Sequence, residues 1–177
     1  MISAPIAAKE QKYGAINMPL SASILSRLQH QHETLLELID DATEEELKQP
    51  VIPGKWSAFE QIVHLVTYQP VLLQRLQKIE SEDSPVFGRY VADTDPAFRE
   101  GCKKSLKELL TQLKEQRSQI NNHLSTLSEQ VLQRSARHPK FGTMTIIGWT
   151  EFFLLHEAHH LFSIFKLVRE GRVSLQQ

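Results

Sequence analysis

The strongest constraint on this sequence is the helical spacing of its apolar residues, which recurs in four long segments. Between residues 21 and 41, leucines and isoleucines fall three, four and seven positions apart, as they do along one face of an amphipathic helix. Similar segments run from about 57 to 80, from about 96 to 127 and from about 146 to 170. The chain lacks the period-two alternation of half-buried strands. Four long helices in 177 residues predict an all-α four-helix bundle.

Breakers and capping residues predict where the middle helices begin and end. Ser57-x-x-Glu60 has the form of a capping box, so the second helix should begin there, and Pro70 should bend it. Residues 81–95 are expected to form a long crossover connection. At its end, Asp95-Pro96 should start the third helix, because Asp can cap a helix and Pro can occupy its first position.

The two ends of the chain give further boundaries. Thr143 or Thr145 should cap the last helix, and Gly171 should end it. Residues 1–20 have no periodicity and are expected to form an irregular arm. Residues 21–177 should then make one four-helix-bundle domain with a long crossover.

Composition excludes several classes of protein. The 20 Lys and Arg balance 21 Asp and Glu, without a dense basic cluster, so we expect no nucleic-acid partner. The longest mainly apolar run is shorter than the ~20 residues of a bilayer span, so we expect no membrane association. A single cysteine excludes a disulfide framework and a Cys-rich zinc site. Without a signal-peptide pattern, we expect a cytoplasmic protein.

Histidine is the unusual component, since three of the eight histidines lie in one short segment of the last helix. His156 and His160 are four residues apart, so both can point at one metal ion from the apolar sector of that helix. Buried structural histidines bonded to neighbouring side chains are the alternative. His159 falls on the polar side and is expected at the surface.

The same segment reads His156-Glu157-x-x-His160, which is the zinc pattern of many metalloproteases with Glu157 as general base. The glycine and third histidine of the longer pattern are absent, and only seventeen residues follow His160. We therefore do not expect a protease. Glu157 and Glu60 are expected to be solvated or capping residues.

The residues alone leave the third ligand open. His32 lies in the apolar seam of the first helix, where it could be a core histidine or a ligand. His64 lies on a polar stripe and should be at the surface, unless that stripe lines an internal cleft. The stripe consists of Ser57, Glu60, Gln61, His64, Tyr68 and Arg75, and the remaining candidate ligands are His30, His123 and His138.

Three short motifs in a defined order resemble the DinB-like superfamily, and most closely its YfiT-like group of metal-dependent hydrolases and thiol transferases. The motifs are Lys55-Trp56-Ser57 followed by His64-Leu65, then His138-Pro139-x-Phe141-Gly142-x-Met144-Thr145, then Trp149 followed by His156-x-x-His159-His160-Leu161. The resemblance covers about residues 21–170. It implies a four-helix bundle with a long crossover that holds one divalent metal ion, nickel or zinc, on His64, His156 and His160.

The chain departs from that family pattern at two places. Thr67 and Tyr68 stand where family members often carry an acidic residue or a histidine, and Ser163 replaces a glutamine of the tail motif. The metal-binding set is unaffected. Because of these departures, the resemblance does not identify the substrate.

Three neutral imidazoles leave a coordination position open, as in catalytic metal sites. The resemblance implies an enzyme in which the metal activates a low-molecular-weight thiol, such as bacillithiol, for transfer to an electrophilic small molecule. A hydrolase that uses metal-bound hydroxide is the alternative. No carboxylate is an obvious general base, which favours the transferase. Tyr68 and Arg75 are candidate pocket residues, and Cys102 is expected to pack in the core.

A third hypothesis is a non-catalytic, metal-binding bundle that forms a homodimer. Several apolar residues of the last helix lie outside the sector that contains His156, and a single bundle need not cover them. They are Leu154, Leu161, Phe165 and Val168. If these residues are exposed, a homodimer is also expected for the transferase and for the hydrolase.

Overall fold

The computed structural model describes residues 20–175, with side chains to Arg172, and confirms the four-helix bundle. Two segments broken by short turns, α1–α2 and α5–α6, alternate with the long helices α4 and α8. The elements are α1 (Ala22–His30), α2 (Thr34–Ile39), α3 (Glu44–Lys48), α4 (Ala58–Ser81), α5 (Pro96–Gly101), α6 (Leu106–Ser125), α7 (Glu129–Leu132), β1 (Ser135–His138), β2 (Gly142–Thr145) and α8 (Ile146–Leu175). The expected N-terminal arm lies outside the described residues, apart from Leu20.

Capping boxes start three of the helices. At α4 the Ser57 hydroxyl accepts from the Glu60 amide and the Glu60 carboxylate accepts from the Ser57 amide, as predicted. The same box at Ser105 and Glu108 starts α6. The apolar spacing predicted one continuous third helix from Pro96. The structure instead divides this helix into α5 and α6.

The first helix is also interrupted, where the sequence predicted one helix from 21 to 41. A 3-10 turn at Gln31–Glu33 separates α1 from α2. The Leu28 carbonyl at this point accepts hydrogen bonds from the side chains of Arg117 (3.3 Å) and Asn121 (3.2 Å) on α6. Side-chain donors that enter the backbone ladder are a recognised cause of such a break.

The last helix begins as expected, since the Thr145 hydroxyl accepts from the Gly148 amide. Gly171 does not end it, because α8 continues to Leu175. A glycine inside a helix costs only about 1 kcal/mol. At Gly171 a Cβ atom would lie 3.6 Å from the Val51 side chain, so this glycine packs against the loop before α4.

A β-hairpin that the sequence did not predict precedes α8. Strands β1 and β2 pair antiparallel from Ser135 opposite Thr145 to His138 opposite Gly142. Gly142 has a φ of +75°, which suits the left-handed position of a short hairpin loop. The Arg137 amide donates to the Pro85 carbonyl and the Arg137 carbonyl accepts from the Phe87 amide, and these two bonds attach the crossover to this hairpin. Strands of four residues are too short to give a clear alternation.

Shared cores define the topology of the bundle. The first half of α4 packs in one apolar core with the end of α8 and the start of α6, and the second half packs in another with the start of α8 and the end of α6. Helix α4 is therefore antiparallel to α8 and parallel to α6. The parallel pair is what makes the long crossover necessary.

A polar layer lies between the two cores. On α8 the apolar core residues stop at Leu154 and resume at Leu161, and His156, Glu157 and His160 fall in that gap. On α6 the corresponding gap contains Arg117. The candidate metal ligands thus lie at the middle of the bundle.

The surface of α8 differs from the expectation that motivated a dimer. Leu154, Leu161 and Val168 are buried within the chain, because α8 is packed on more of its circumference than the helical wheel suggested. Phe165 remains 40% exposed, with Phe162 stacked beside it at 60%. None of the helices in the described range is both long and apolar enough to cross a bilayer.

Candidate metal centre

Three imidazole rings meet at the middle of the bundle, His64 from α4 and His156 and His160 from α8. The Nε2 atom of His156 lies 3.1 Å from Nε2 of His64 and 3.1 Å from Nε2 of His160. The three ligand atoms all lie within 4.8 Å of one another. His64 and His160 are buried and His156 is half-buried, so any access to the cluster is from the side of His156.

The two 3.1 Å spacings suit a metal ion. Three nitrogens bound at about 2.1 Å to one ion would lie about 3.0–3.4 Å apart, depending on whether the geometry is octahedral or tetrahedral. Without an ion, Nε2 of His156 carries either one proton or one lone pair and cannot satisfy both neighbouring nitrogens. The three-histidine cluster could therefore hold a divalent metal ion.

The electrostatic environment keeps these rings neutral. Burial lowers the pKa of His64 to about 3, with the charge of His160 as a smaller cause. Burial and then the neighbouring histidines lower the pKa of His156 and of His160 to about 3 in the same way. At neutral pH each ring thus has a lone pair available for a metal, without competition from protons.

One ligand is oriented by a hydrogen bond from its other ring nitrogen. The Nδ1 of His160 donates to the side-chain carbonyl Oε1 of Gln61 at 2.6 Å, which leaves the Nε2 lone pair of His160 facing the other two histidines. The Nδ1 atoms of His64 and His156 are buried and have no hydrogen-bond partner among the described residues. Gln61 is therefore the described residue that fixes a tautomer in this cluster.

Aromatic rings pack against the cluster, Tyr68 buried and Trp56 and Tyr90 half-buried. Trp56 and Tyr90 lie against the His64 ring, with centroids at 5.2 and 5.9 Å, and Tyr68 lies 4.5 Å from the His156 ring. Tyr90 is on the crossover, and its hydroxyl donates to Asp95 at 2.8 Å. Sequence reasoning missed Tyr90 because the crossover has no periodicity that could assign its side chains to a face.

The polar stripe of α4 mostly faces α8, so it is not a surface. Gln61, Tyr68 and Arg75 contact side chains of α8, and His64 lies between them. Ser57 and Glu60 are the exceptions, because together they form the capping box of α4. The helical wheel placed His64 at the surface, but it is 3% exposed.

Glu157 does not belong to the cluster, although it follows His156 directly. Its carboxylate is fully buried and forms an ion pair with Arg117 from α6. Its second oxygen accepts from Gln31 at 2.8 Å. The expectation of a solvated or capping residue is wrong for Glu157, whereas Glu60 is a capping residue as expected. A protease role for Glu157 is unsupported, because its carboxylate is engaged in the ion pair with Arg117.

The other candidate ligands lie outside the cluster. His32 is half-buried, His123 pairs with Glu80 at 2.5 Å, and His30 contacts Glu33. His159 is exposed, as predicted. The remaining candidate, His138, lies in the hairpin, where its Nδ1 accepts hydrogen bonds from two backbone amides.

The family model of the DinB superfamily matches residues 27–164. The chain belongs to this superfamily. Among solved structures, YfiT from Bacillus subtilis, which has an unusual four-helix bundle topology, matches with a TM-score of 0.73 and 20% identity, over 96% of this chain and 92% of YfiT. The four-helix bundle protein TT2238 matches with a TM-score of 0.59 and 22% identity, over 80% of this chain and 95% of TT2238. No curated protein matches the chain. These likenesses identify the fold of this DinB superfamily member.

Proposed function

We propose that this protein is a metal-dependent enzyme in which His64, His156 and His160 hold one divalent ion, zinc or nickel, that activates a low-molecular-weight thiol for transfer to an electrophilic small molecule. The observation that carries the proposal is the convergence of three neutral Nε2 atoms on one point, with no carboxylate among them. A divalent ion in such a site lowers the pKa of a coordinated water or thiol, so that a nucleophile forms at neutral pH.

The surroundings of the cluster favour the thiol. A hydrolase benefits from a general base beside its nucleophile. Both carboxylates that the sequence places near the ligands are committed elsewhere, Glu157 to Arg117 and Glu60 to the cap of α4. In thiol transfer the thiol loses its proton, sulfur forms the new bond to carbon, and the displaced group leaves with its electron pair and takes up a proton. These steps depend less on a general base supplied by the protein than hydrolysis does.

A metal-dependent hydrolase is the second candidate, because YfiT is described as a probable metal-dependent hydrolase. Both candidates use the same histidines. They differ in whether a thiol is required. A non-catalytic metal-binding protein would keep the ion and lack both reactions.

Metal titration tests the site. The wild-type protein should bind one zinc or nickel ion per chain, and His156→Ala should weaken binding more than about 100-fold, since losing even a partner of a ligand costs 10–100-fold. His159→Ala is the matched control, because His159 lies on the same helix but is exposed. Equal weakening in both variants would contradict the assignment.

Turnover separates the candidate reactions. The metal-loaded protein is offered thiols, including bacillithiol, with an activated aryl halide, and separately an activated ester without thiol. Thiol-dependent conjugation that His64→Ala abolishes supports the transferase. Ester cleavage without thiol identifies the hydrolase instead, and the absence of both contradicts an enzyme of either kind.

A further inference from the structure

Next to the candidate metal centre, six side chains form a closed ring of contacts. Starting at His156, the Tyr68 ring lies 4.5 Å away, and the Tyr68 hydroxyl accepts from Arg75 at 3.1 Å. The guanidinium of Arg75 lies 5.4 Å from the centre of the Trp149 ring. On this side the ring is therefore composed of two aromatic residues and one cation.

His138 of the hairpin and Phe152 of α8 complete this ring of six side chains. The His138 ring lies 5.4 Å from Trp149 and 5.2 Å from Phe152, and Phe152 lies 6.3 Å from His156. Trp149 is fully buried, whereas His138, Phe152 and His156 are half-buried. Trp149 also contacts Phe152 directly, with ring centroids 6.1 Å apart, so Trp149 forms the buried side of this group of side chains and His138, Phe152 and His156 form its partly exposed side.

Arg75 is a half-buried cation, and among the described residues no side chain balances its charge. Its two hydrogen bonds within the described residues go to neutral oxygens, the Tyr68 hydroxyl and the Gly88 carbonyl, each at 3.1 Å. In the part of the chain that the structure covers, no carboxylate lies within ion-pair distance of Arg75. A guanidinium has five N–H donors, so Arg75 keeps donors for a ligand.

His138 offers a second donor in a fixed orientation. Its Nδ1 accepts from the amides of Lys140 and Phe141, both at 3.1 Å, so the neutral ring must carry its proton on Nε2. Burial and then the Arg75 charge lower the pKa of His138, which keeps the ring neutral near pH 7. The loop thereby fixes His138 as an Nε2–H donor.

The segments that flank the ring are free of acidic residues. Residues 84–92 of the crossover contain Arg89, and residues 134–145 around the hairpin contain Arg134, Arg137 and Lys140, with neither Asp nor Glu in these two stretches. Arg134 pairs with Asp83, just before the first stretch, at 3.3 Å, whereas Arg89, Arg137 and Lys140 form none of the described ion pairs. Clefts bordered by charges of one sign attract ligands of the other sign. The charge pattern therefore favours an anion.

We propose that this ring of six side chains binds a carboxylate of the substrate, with Arg75 and the Nε2–H of His138 as hydrogen-bond donors. The aromatic side chains of the ring would contact the adjoining carbon skeleton. The inference deepens the proposed function, on which it rests, by assigning the substrate class as a small organic acid. Tyr68 positions Arg75 through their hydrogen bond, and His156 links this subsite to the metal centre.

The test uses two probes of equal shape, 3-phenylpropanoate and 3-phenylpropanamide, and calorimetry on the full chain. The wild type should bind the carboxylate at least about tenfold more tightly than the amide, as charge-assisted hydrogen bonds would give. Arg75→Met should abolish this preference. His138→Asn should reduce it, because the asparagine oxygen can still accept from the loop amides while the Nε2–H donor is lost.

Two controls keep the result specific. Lys166→Met removes a positive charge from the exposed side of α8, where it lies over the Phe162 ring, and should leave the preference unchanged. The titration is repeated after chelation, since a carboxylate bound to the ion itself would lose its preference when the ion is removed. Circular dichroism checks that each variant is folded.

The outcomes separate this inference from the proposed function. A preference that persists after chelation and disappears in Arg75→Met supports the subsite, even if no turnover is found. Equal binding of the two probes by the wild type, an unchanged preference in Arg75→Met, or a preference that requires the ion would each overturn it.

Discussion

The buried ion pair between Arg117 and Glu157 allows a sharp prediction about stability. Both side chains are 1% exposed, and Arg117 also donates to Gln69 at 3.2 Å and to the Leu28 carbonyl. Arg117→Met leaves the Glu157 carboxylate buried with only the hydrogen bond from Gln31. Removing one partner of a buried pair costs about 3–5 kcal/mol. With a urea m-value of about 2 kcal/mol/M, the unfolding midpoint should fall by about 1.5–2.5 M.

A double-mutant cycle decides whether the pair causes this loss. Urea unfolding is followed by circular dichroism on chelated protein, because a bound ion would add its own stabilisation. The double variant Arg117→Met/Glu157→Leu should lose much less than the sum of the single variants, since no buried charge remains unpaired. The coupling should be at least about 2 kcal/mol. A loss below about 1 kcal/mol in Arg117→Met, or additive losses, would refute the reasoning.

Three further predictions concern the ligand support, acid stability and assembly. Gln61→Ala should weaken zinc binding about 10–100-fold in a competition with a chromophoric chelator, while His159→Ala should not. Burial lowers the pKa of His32 to about 4 from 6.5, so folding should lose stability as pH falls from 6.5 toward 4, when only the unfolded chain takes up that proton. The three clustered histidines, whose pKa values burial also lowers, add to the acid loss, so the contribution of His32 is measured by comparison with His32→Gln. Between pH 6.5 and 4 the variant should lose about 1–2 kcal/mol less than the wild type, allowing for partial solvent screening, and equal losses in the two proteins would contradict the prediction. A homodimer should show twice the chain mass in light scattering and dissociate in Phe162→Glu but not in Lys48→Glu; a monomer mass for the wild type would end that hypothesis.

The sequence predicted the bundle because long apolar repeats and local caps do not depend on distant contacts. Ser57 and Thr145 cap their helices through bonds within three residues. The capping box at Ser105 could have been recognised in the same way, and it would have divided the third helix correctly. The break after α1 could not have been predicted, because it depends on Arg117, which is 89 positions away from Leu28.

The site was harder to predict, and His64 illustrates why. A helical wheel separates polar from apolar faces, but it cannot tell whether a polar face meets water or other polar side chains. The stripe around His64 meets α8, where Gln61 bonds to His160 and Tyr68 packs on His156. The family resemblance supplied the choice that periodicity could not make.

The hairpin and the crossover separate two tasks that could evolve at different rates. The three clustered histidines are carried by long helices, where an insertion of one residue would rotate every later side chain by about 100°. His138 is carried by a hairpin loop and Tyr90 by a crossover, where insertions are tolerated far better. Lineages that share this scaffold can therefore lengthen or shorten these two connections and acquire new substrates, while the imidazole cluster stays in place.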